Sequence, residues 1–364
     1  MAVRPLAETD IPKVADLYWS YMRRRSGSPS PEILSLFHEL FVTNPFLDPE
    51  FPSLVYENSS GKLGGFLGRM VRKMAFGGKL IRVLFGGNLV VHPEFRSGLA
   101  AARLVNTFLS TPYDLSMTDS ANNISKDILQ RMGYDVVPAM NIHWRRPLRP
   151  SHYAVFGLSM AAGNVLSASV RAAAKPFCSV ADGIAGKLSA SPFRQNKSHL
   201  RSEDLDVPTL LQCMTEFRDG YSLWPEYDLQ SLQWLISFME RRRVRGELRK
   251  VLVRDDTQKI VGWYVYYVSP GAVGEVVQIG GDLKYTKEIL DHLFWDAQEH
   301  GVIGLHGMVD SRRMPDFSDK GCFFTCRGGW TVVSSPHPEL MKLIERGDAL
   351  FSRLDGEWCL DPGD

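Results

Sequence analysis

The sequence predicts a mixed α/β protein of the α+β kind, built as two similar units. Each unit is expected to carry a mixed, mainly antiparallel central sheet flanked by helices. Three observations lead there. The stretch Asn88 to Leu109 runs from an apolar segment, Leu89-Val90-Val91, through a polar loop, Arg96-Ser97-Gly98, into an alanine-rich helical segment. Upstream, three strand-like runs follow one another with turn residues between them. Beyond residue 200 the order helix, helix, meander, helix, strand returns, a repeat of element order rather than of residue identity. A length of 364 residues fits two domains.

Composition narrows the class. The chain is 44% hydrophobic and 23% charged, as soluble globular proteins are, and its net charge is +1. That balance gives no electrostatic case for nucleic acid. The basic runs Arg23-Arg24-Arg25 and Arg241-Arg242-Arg243 each follow a helical pattern and read as charge at a helix C-terminus. Five scattered cysteines, with Cys322-x-x-x-Cys326 lacking a second half, argue for reduced thiols in a cytoplasmic protein and against a zinc site. The opening MAVRPLAETD has no apolar signal core.

Taken in order, Val3-Arg4-Pro5 is a short strand. Ile11 to Met22 is a helix, with Thr9 or Asp10 as N-cap and Pro12 in its first turn. Pro31 to Val42 is a second helix. Ser53 to Glu57, Leu63 to Lys73, and Lys79 to Phe85 continued by Leu89 to Val91 form the meander. Gly86-Gly87 interrupts the third strand and suggests a bulge or a close backbone approach. His92-Pro93 stops that strand, since proline donates no ladder hydrogen bond. The helix beginning at Leu99 then offers unpaired N–H groups and a partial positive charge at its first turn. Small residues let a phosphate approach them, and Arg96 adds a bidentate charged contact. Tyr113 to Thr118 is the next strand, Asn122 to Met132 a helix ended by Gly133, and Val136 to Trp144 the last strand or hairpin of the first unit.

The stretch 88–109 resembles motif A of the GNAT acyltransferase superfamily, an aliphatic strand, then x-P-x-x-R, then [QR]-x-x-G-x-[GA] entering a helix. Arg96 takes the Arg/Gln position and Ala101 the last Gly/Ala position. Leu99 stands where the family has glycine, and Gly98 lies one residue early. A second match follows: Asn122-x-x-Ser125-x-x-Ile128-Leu129-x-x-x-Gly133-Tyr134 resembles motif B, N-x-x-[AS]-x-x-L-Y-x-x-x-G-F. Together they cover about residues 1–148. The resemblance implies an acyl-CoA site, with Leu89, Val91, Arg96, Ser97, Gly98, Leu99, Ala100 and Ala101 along pantetheine and pyrophosphate, and Asn122 and Ser125 facing the CoA from motif B. It implies acetyl-CoA or another acyl-CoA as co-substrate and no metal. It also places a splayed strand and the thioester carbonyl near Gly86-Gly87.

Leu129 occupies the position of a family tyrosine that protonates the departing thiolate. Another acid, unassisted departure of the thiolate, or loss of catalysis are the readings this leaves. Asp119, just past a strand, and His143, on the last strand, are the candidate bases. Each also reads as an ordinary turn aspartate or strand histidine.

The domain division expected is 1–150 as the acyl-CoA-binding unit, 151–200 as a small-residue-rich helical linker, and 201–364 as a degenerate copy shaping the acceptor site or the domain interface. Ser151 to Val170 contains no Asp, Glu, Lys or Arg. Its glycines, serines and Asn164, and the lack of a dense Leu/Ile core, favour helices packed between domains over a bilayer span. Peripheral membrane contact through 153–170 is the alternative. In the second unit Gly280-Gly281-Asp282-Leu283-Lys284 lacks the phosphate-loop spacing, and Asp282 repels phosphate. Arg312 and Arg313 follow a strand end, where ligands often bind in α/β sheets, and read equally as a hold for an acidic group on an acceptor or as a solvated loop. The strand Trp263 to Tyr267 reads as packed core. The phrase GDALFSRLDGEW (347–358) resembles a tail of bacterial GNAT-like proteins.

The expected function is transfer of an acetyl or other acyl group from CoA to an amine of a small-molecule acceptor by direct attack. A non-catalytic acyl-CoA-binding or regulatory protein, and a long-chain acyltransferase at a membrane surface, are the alternatives.

Overall fold

The computed structural model describes residues 2–96, 99–161, 168–188, 191–195, 198–218, 220–326 and 329–362. The first half runs β1 (Ala2–Pro5), α1 (Ile11–Tyr21), α2 (Pro31–His38), β2 (Leu54–Glu57), β3 (Leu63–Phe76), β4 (Lys79–Val91), α3 (Ala100–Leu109), β5 (Leu115–Ala121), α4 (Asn123–Arg131), β6 (Asp135–Val136) and β7 (His143–Pro147). Two helices follow, α5 (Pro150–Ala161) and α6 (Ala168–Lys187). The second half runs β8 (Arg201–Asp204), α7 (Val207–Glu216), β9 (Leu223–Glu226), α8 (Leu229–Arg241), β10 (Glu247–Arg254), β11 (Ile260–Val268), β12 (Val273–Gly281), α9 (Thr286–Glu299), β13 (Gly304–Met308), α10 (Met314–Asp319), β14 (Phe323–Thr325), β15 (Trp330–Ser334) and α11 (Pro338–Glu345).

The expected class holds: two mixed, mainly antiparallel sheets with helices against them. Among the described residues the first sheet has the order β1-β2-β3-β4-β5-β15-β6, with β9 on the far end of β3. The second has the order β14-β7-β13-β12-β11-β10-β8. Each contains one parallel pair, β4 with β5 and β12 with β13. The long β3–β4 hairpin turns on Gly77 and Gly78, both at positive φ, which a two-residue hairpin of that twist requires.

The halves exchange a strand. β7, from the first half, pairs with β13 and β14. β15, from the second half, pairs with β5 and β6. The segment expected as the last strand or hairpin of the first unit, Val136 to Trp144, is therefore divided between the two sheets. Pro138 ends β6, because it has no N–H for the ladder, and a short 3-10 turn at Pro138–Asn141 carries the chain across to the other sheet. Asn141 pins the crossing: its amide donates to Val137 O and Thr331 O, and its oxygen accepts from Thr331 N at 2.7 Å. β8 was also not expected. Its four residues are polar and exposed, so no hydrophobic alternation marks them.

Apolar packing joins the halves. Tyr18, Phe66 and Phe85 from the first belong to the same buried cluster as Leu232, Trp263 and Tyr267 from the second. Trp263 to Tyr267 is core, as expected, with the Trp263 indole donating to Gln278 Oε1 at 2.9 Å. Arg313 is also internal. Its guanidinium donates to Gly281 O at 2.6 Å and Thr286 Oγ1 at 2.7 Å, so it braces the second sheet. Arg312 pairs with Asp348.

Candidate active site

The site grows from the point where β4 and β5 part. These parallel strands are paired at Val83–Leu115, Leu84–Ser116 and Phe85–Met117, and at no later position. Beyond Phe85 come Gly86 and Gly87, then Asn88 at φ +56°. The β3–β4 register slips between Phe66 and Gly68, so β4 carries an extra residue there. Such a bulge re-aims a strand. Here it swings the end of β4 away from β5 and opens a V between them.

A cavity of about 220 Å³ fills that V. Its floor and walls are apolar: Leu67 from β3, Val105 and Phe108 from α3, Met117 from β5, and Ile128 and Leu129 from α4. Gly86 has no side chain because Phe108 is there; a Cβ at residue 86 falls 2.7 Å from that ring. Leu89, Asn122 and Ser125 also line the cavity. Asn122 caps α4, its Oδ1 accepting from Ser125 N at 2.9 Å. Tyr134 lies in the wall with its hydroxyl against Ser116 Oγ at 2.6 Å. Burial raises that phenol's pKa above its ordinary value.

The polar edge comes from α1 and the C-terminal segment. Tyr18 donates to Asp361 Oδ1 at 2.9 Å, and Arg23 reaches both Tyr18 and Asp361. Glu357 enters the V itself. Its Oε1 accepts from Thr118 and, at 2.7 Å, from Ser120, both on β5. Across the gap, its carboxyl carbon lies 3.1 Å from where a Cβ on Gly87 of β4 would sit. Glu357 is 4% exposed, and its Oε2 is buried without a hydrogen-bond partner among the described residues. Burial, and then the nearby Asp119 carboxyl, push the Glu357 pKa well above the usual carboxylate range.

Two expected bases sit elsewhere. Asp119 is adjacent in sequence to the cavity residues Thr118 and Ser120, but its side chain holds the tail. Its Oδ1 accepts from Glu357 N at 3.1 Å and Trp358 N at 3.0 Å. Burial raises its pKa while Arg353, 3.9 Å away, opposes that rise. His143 is on β7 in the other sheet, paired with Met308 and Thr325, and takes no part in lining the cavity. Burial and neighbouring arginines lower its pKa to about 4. The strand exchange removed it from the first sheet.

The expected pyrophosphate loop lies beyond the cavity. Val91 O accepts from Arg96 Nε at 3.1 Å, which folds the arginine back along the end of β4. Ser97 and Gly98 lie outside the described residues. Leu99 is the N-cap of α3 and is 66% exposed, so its side chain fills no part of the cavity. Ala100 is buried and Ala101 half-buried in the first turn. Among the described residues no group of three or more His, Cys, Asp or Glu is placed to hold a metal.

Glu357 lies within the tail phrase 347–358, but nothing in the sequence gave it a role. It lies 238 residues after Asp119, in a tail without periodicity. Its neighbour Gly356 lets the tail approach: a Cβ there would fall 2.2 Å from Asp119 Oδ2. A methyl at Gly87 faces the same carboxyl. Gly87→Ala is expected to displace Glu357 and cost about 1–2 kcal/mol of stability, read as a lower Tm and as weaker acyl transfer in a CoA-release assay.

No family model matches the sequence. No curated protein matches it. Solved structures do. A GCN5-related N-acetyltransferase from Anabaena variabilis ATCC 29413 superposes with a TM-score of 0.59 at 11% identity, over 93% of this chain and 73% of that one. A conserved protein of Enterococcus faecalis V583, described as a probable N-acyltransferase, gives 0.58 at 10% identity, over 91% and 71%. Identities this low speak to fold alone: over nine-tenths of its length this chain shares the fold of these two structures.

Proposed function

We propose that this protein is an acyl-CoA-dependent N-acyltransferase that moves an acetyl or other acyl group to an amine of a small-molecule acceptor. One observation carries the reading: a buried carboxyl with an unpartnered oxygen, Glu357, stands in the V between two parting strands of an acyltransferase fold. The thioester takes the V, with the pantetheine running along Leu89 and Val91. The pyrophosphate takes the first turn of α3, near Arg96, Ala100 and Ala101, where helix N–H groups and a cation favour it. Leu99 turns its side chain outward and leaves that turn open. Ser97 and Gly98 complete the loop in sequence.

The chemistry is a single displacement. The acceptor amine attacks the thioester carbonyl, its N–C bond forms, and the C–S bond breaks. Ionised Glu357 accepts the amine proton through the oxygen that Thr118 and Ser120 leave unbonded. Asp119 is a positioning residue: it fixes the backbone of Glu357 and Trp358. Leu129 offers no proton, so the thiolate departs unaided by that side chain. The acceptor enters past Tyr18, Arg23 and Asp361.

The test is CoA release across a panel of acyl-CoAs and amines, paired with titration calorimetry. Arg96→Ala is expected to weaken acyl-CoA binding about tenfold, the loss of one charge-assisted phosphate contact, with little change in kcat. Binding without CoA release from any amine would turn the reading to a regulatory acyl-CoA-binding protein.

A further inference from the structure

The basic runs Arg23-Arg24-Arg25 and Arg241-Arg242-Arg243 lie far apart in the sequence, and the fold brings them to one residue of the C-terminal segment. Arg23 Nη2 donates to the Asp361 carboxylate at 3.1 Å, and Arg242 Nη1 donates to the Asp361 backbone oxygen at 2.7 Å. Asp361 and Arg23 both line the cavity in the V.

A second hollow adjoins that cavity. Its volume is about 570 Å³, in the range of small-ligand pockets. Tyr18 and Arg23 line both spaces, so the two meet at that pair. The rest of its lining is Trp19, Arg25 and Ile33 from the first half and Val244 and Pro362 from the second. Local backbone geometry sets Arg25 there. The chain leaves α1 through Arg24 at φ +53°, a conformation that ordinarily falls to glycine. Arg25 N then donates back to Trp19 O at 3.1 Å, closing the helix end. The turn keeps Arg25 beside Arg23 although the helix has stopped.

The two arginines differ in what they do for the fold. Arg23 holds the tail through Asp361. Arg25 is exposed, and its side chain has no hydrogen bond or ion pair among the described residues. Charge is ordered along the path. Glu357 and Asp361 line the inner cavity. Arg23 stands at the junction, Arg25 lines only the outer hollow, and among the described residues no acid lines that hollow. Glu32 and Glu39 line the next hollow, past Ile33 and Pro362, and Glu39 is paired with Arg241. A neutral amine leaves the outer cation unused, and a polyamine is repelled by it. An amine that also bears an anion matches both ends.

We propose, resting on the acyl-transfer reading of the V, that the acceptor is an amine carrying an anionic group, a carboxylate or a phosphate, with the amine at Glu357 and the anion on Arg25 in the outer hollow. A guanidinium holds either group through paired N–H donors. Arg23 stays on Asp361 and adds its charge to the same hollow.

The test is CoA release by the full chain with the acyl-CoA that binds it most tightly. Glycine, β-alanine and γ-aminobutyrate are each compared with their amides, and phosphoethanolamine with ethanolamine. At least one anionic amine is expected to exceed its neutral partner about tenfold in kcat/KM, and the carboxylate and phosphate arms tell which anion fits. Arg25→Ala is expected to raise KM for that amine about tenfold while leaving kcat and the neutral partner's KM nearly unchanged, and Arg25→Lys to recover part of the loss. The side chain is exposed, and unchanged acyl-CoA binding by the variants reports an intact fold. Equal kcat/KM for charged and neutral partners, or no KM change in Arg25→Ala, overturns this proposal and leaves the transferase reading standing. If no amine releases CoA, calorimetry of the same amines on the CoA-bound chain decides. Arg25-dependent binding of an anionic amine then keeps the anion site while the transferase reading falls, and no such binding removes both.

Discussion

Glu357→Gln is expected to lower kcat by about 10²- to 10⁴-fold while leaving acyl-CoA affinity nearly unchanged, the effect of removing a general base and keeping its shape. Gln preserves an acceptor for Thr118 and Ser120 and fills the same space. The pH dependence is equally specific. Because burial raises the Glu357 pKa, the carboxylate needed for proton abstraction appears only above the ordinary carboxylate range. The acidic limb of kcat/KM in the wild type is therefore expected above about pH 4.3, the unperturbed glutamate value, and is expected to vanish in the residual activity of the variant. Stability moves the other way. A carboxyl whose folded pKa is raised binds more protons in the folded state, so its contribution is full below the unfolded value and is lost as pH rises through the folded one. Thermal melts across pH should show the wild type losing ground to Glu357→Gln as pH increases. A variant with wild-type kcat would remove Glu357 from the chemistry.

Asp119→Ala is expected to destabilise the protein by about 3 kcal/mol, the scale for breaking a buried, hydrogen-bonded charge pair. Asp119 is 3% exposed, and its removal leaves the N–H groups of Glu357 and Trp358 and the buried Arg353 without that carboxylate. The tail is stitched at other points, by Arg353 N to Val277 O at 3.1 Å and Tyr227 to Asp355 at 2.8 Å, so the chain is expected to stay folded. Urea unfolding reads the loss. Activity separates positioning from catalysis. Asp119→Asn retains an oxygen for both N–H groups but removes the charge beside Glu357. It is expected to keep most of kcat and to shift the acidic limb downward, because the like charge raising the Glu357 pKa is gone. Asp119→Ala is expected to lose kcat with Glu357 misplaced. If Asp119→Asn were as inactive as Glu357→Gln, Asp119 would have to be the base itself.

Much of the local structure is written locally. His92-Pro93 ends β4, Asn122 caps α4, and Gly77-Gly78 turns the hairpin, each because a backbone requirement falls on a residue that meets it. The bulge in β4 was also legible. Gly86-Gly87 interrupts an apolar run, and the extra residue sits beside it at Asn88. Leu129 and Ser125 face the cavity because helical spacing carries them there.

What the sequence did not hold is long-range. Nothing in His143–Pro147 names the sheet that β7 joins; the turn at Pro138 and the amide of Asn141 direct it to the second. β15 enters the first sheet in the same way. His143 thus left the cavity, and a carboxylate from a tail with no periodic pattern took the place facing it. The sequence by itself determined the class and most of the elements, because those depend on neighbours a few residues apart. The tertiary structure alone decided which carboxylate occupies the V, because desolvation and hydrogen bonding across 238 residues of chain set the position and the proton affinity of Glu357.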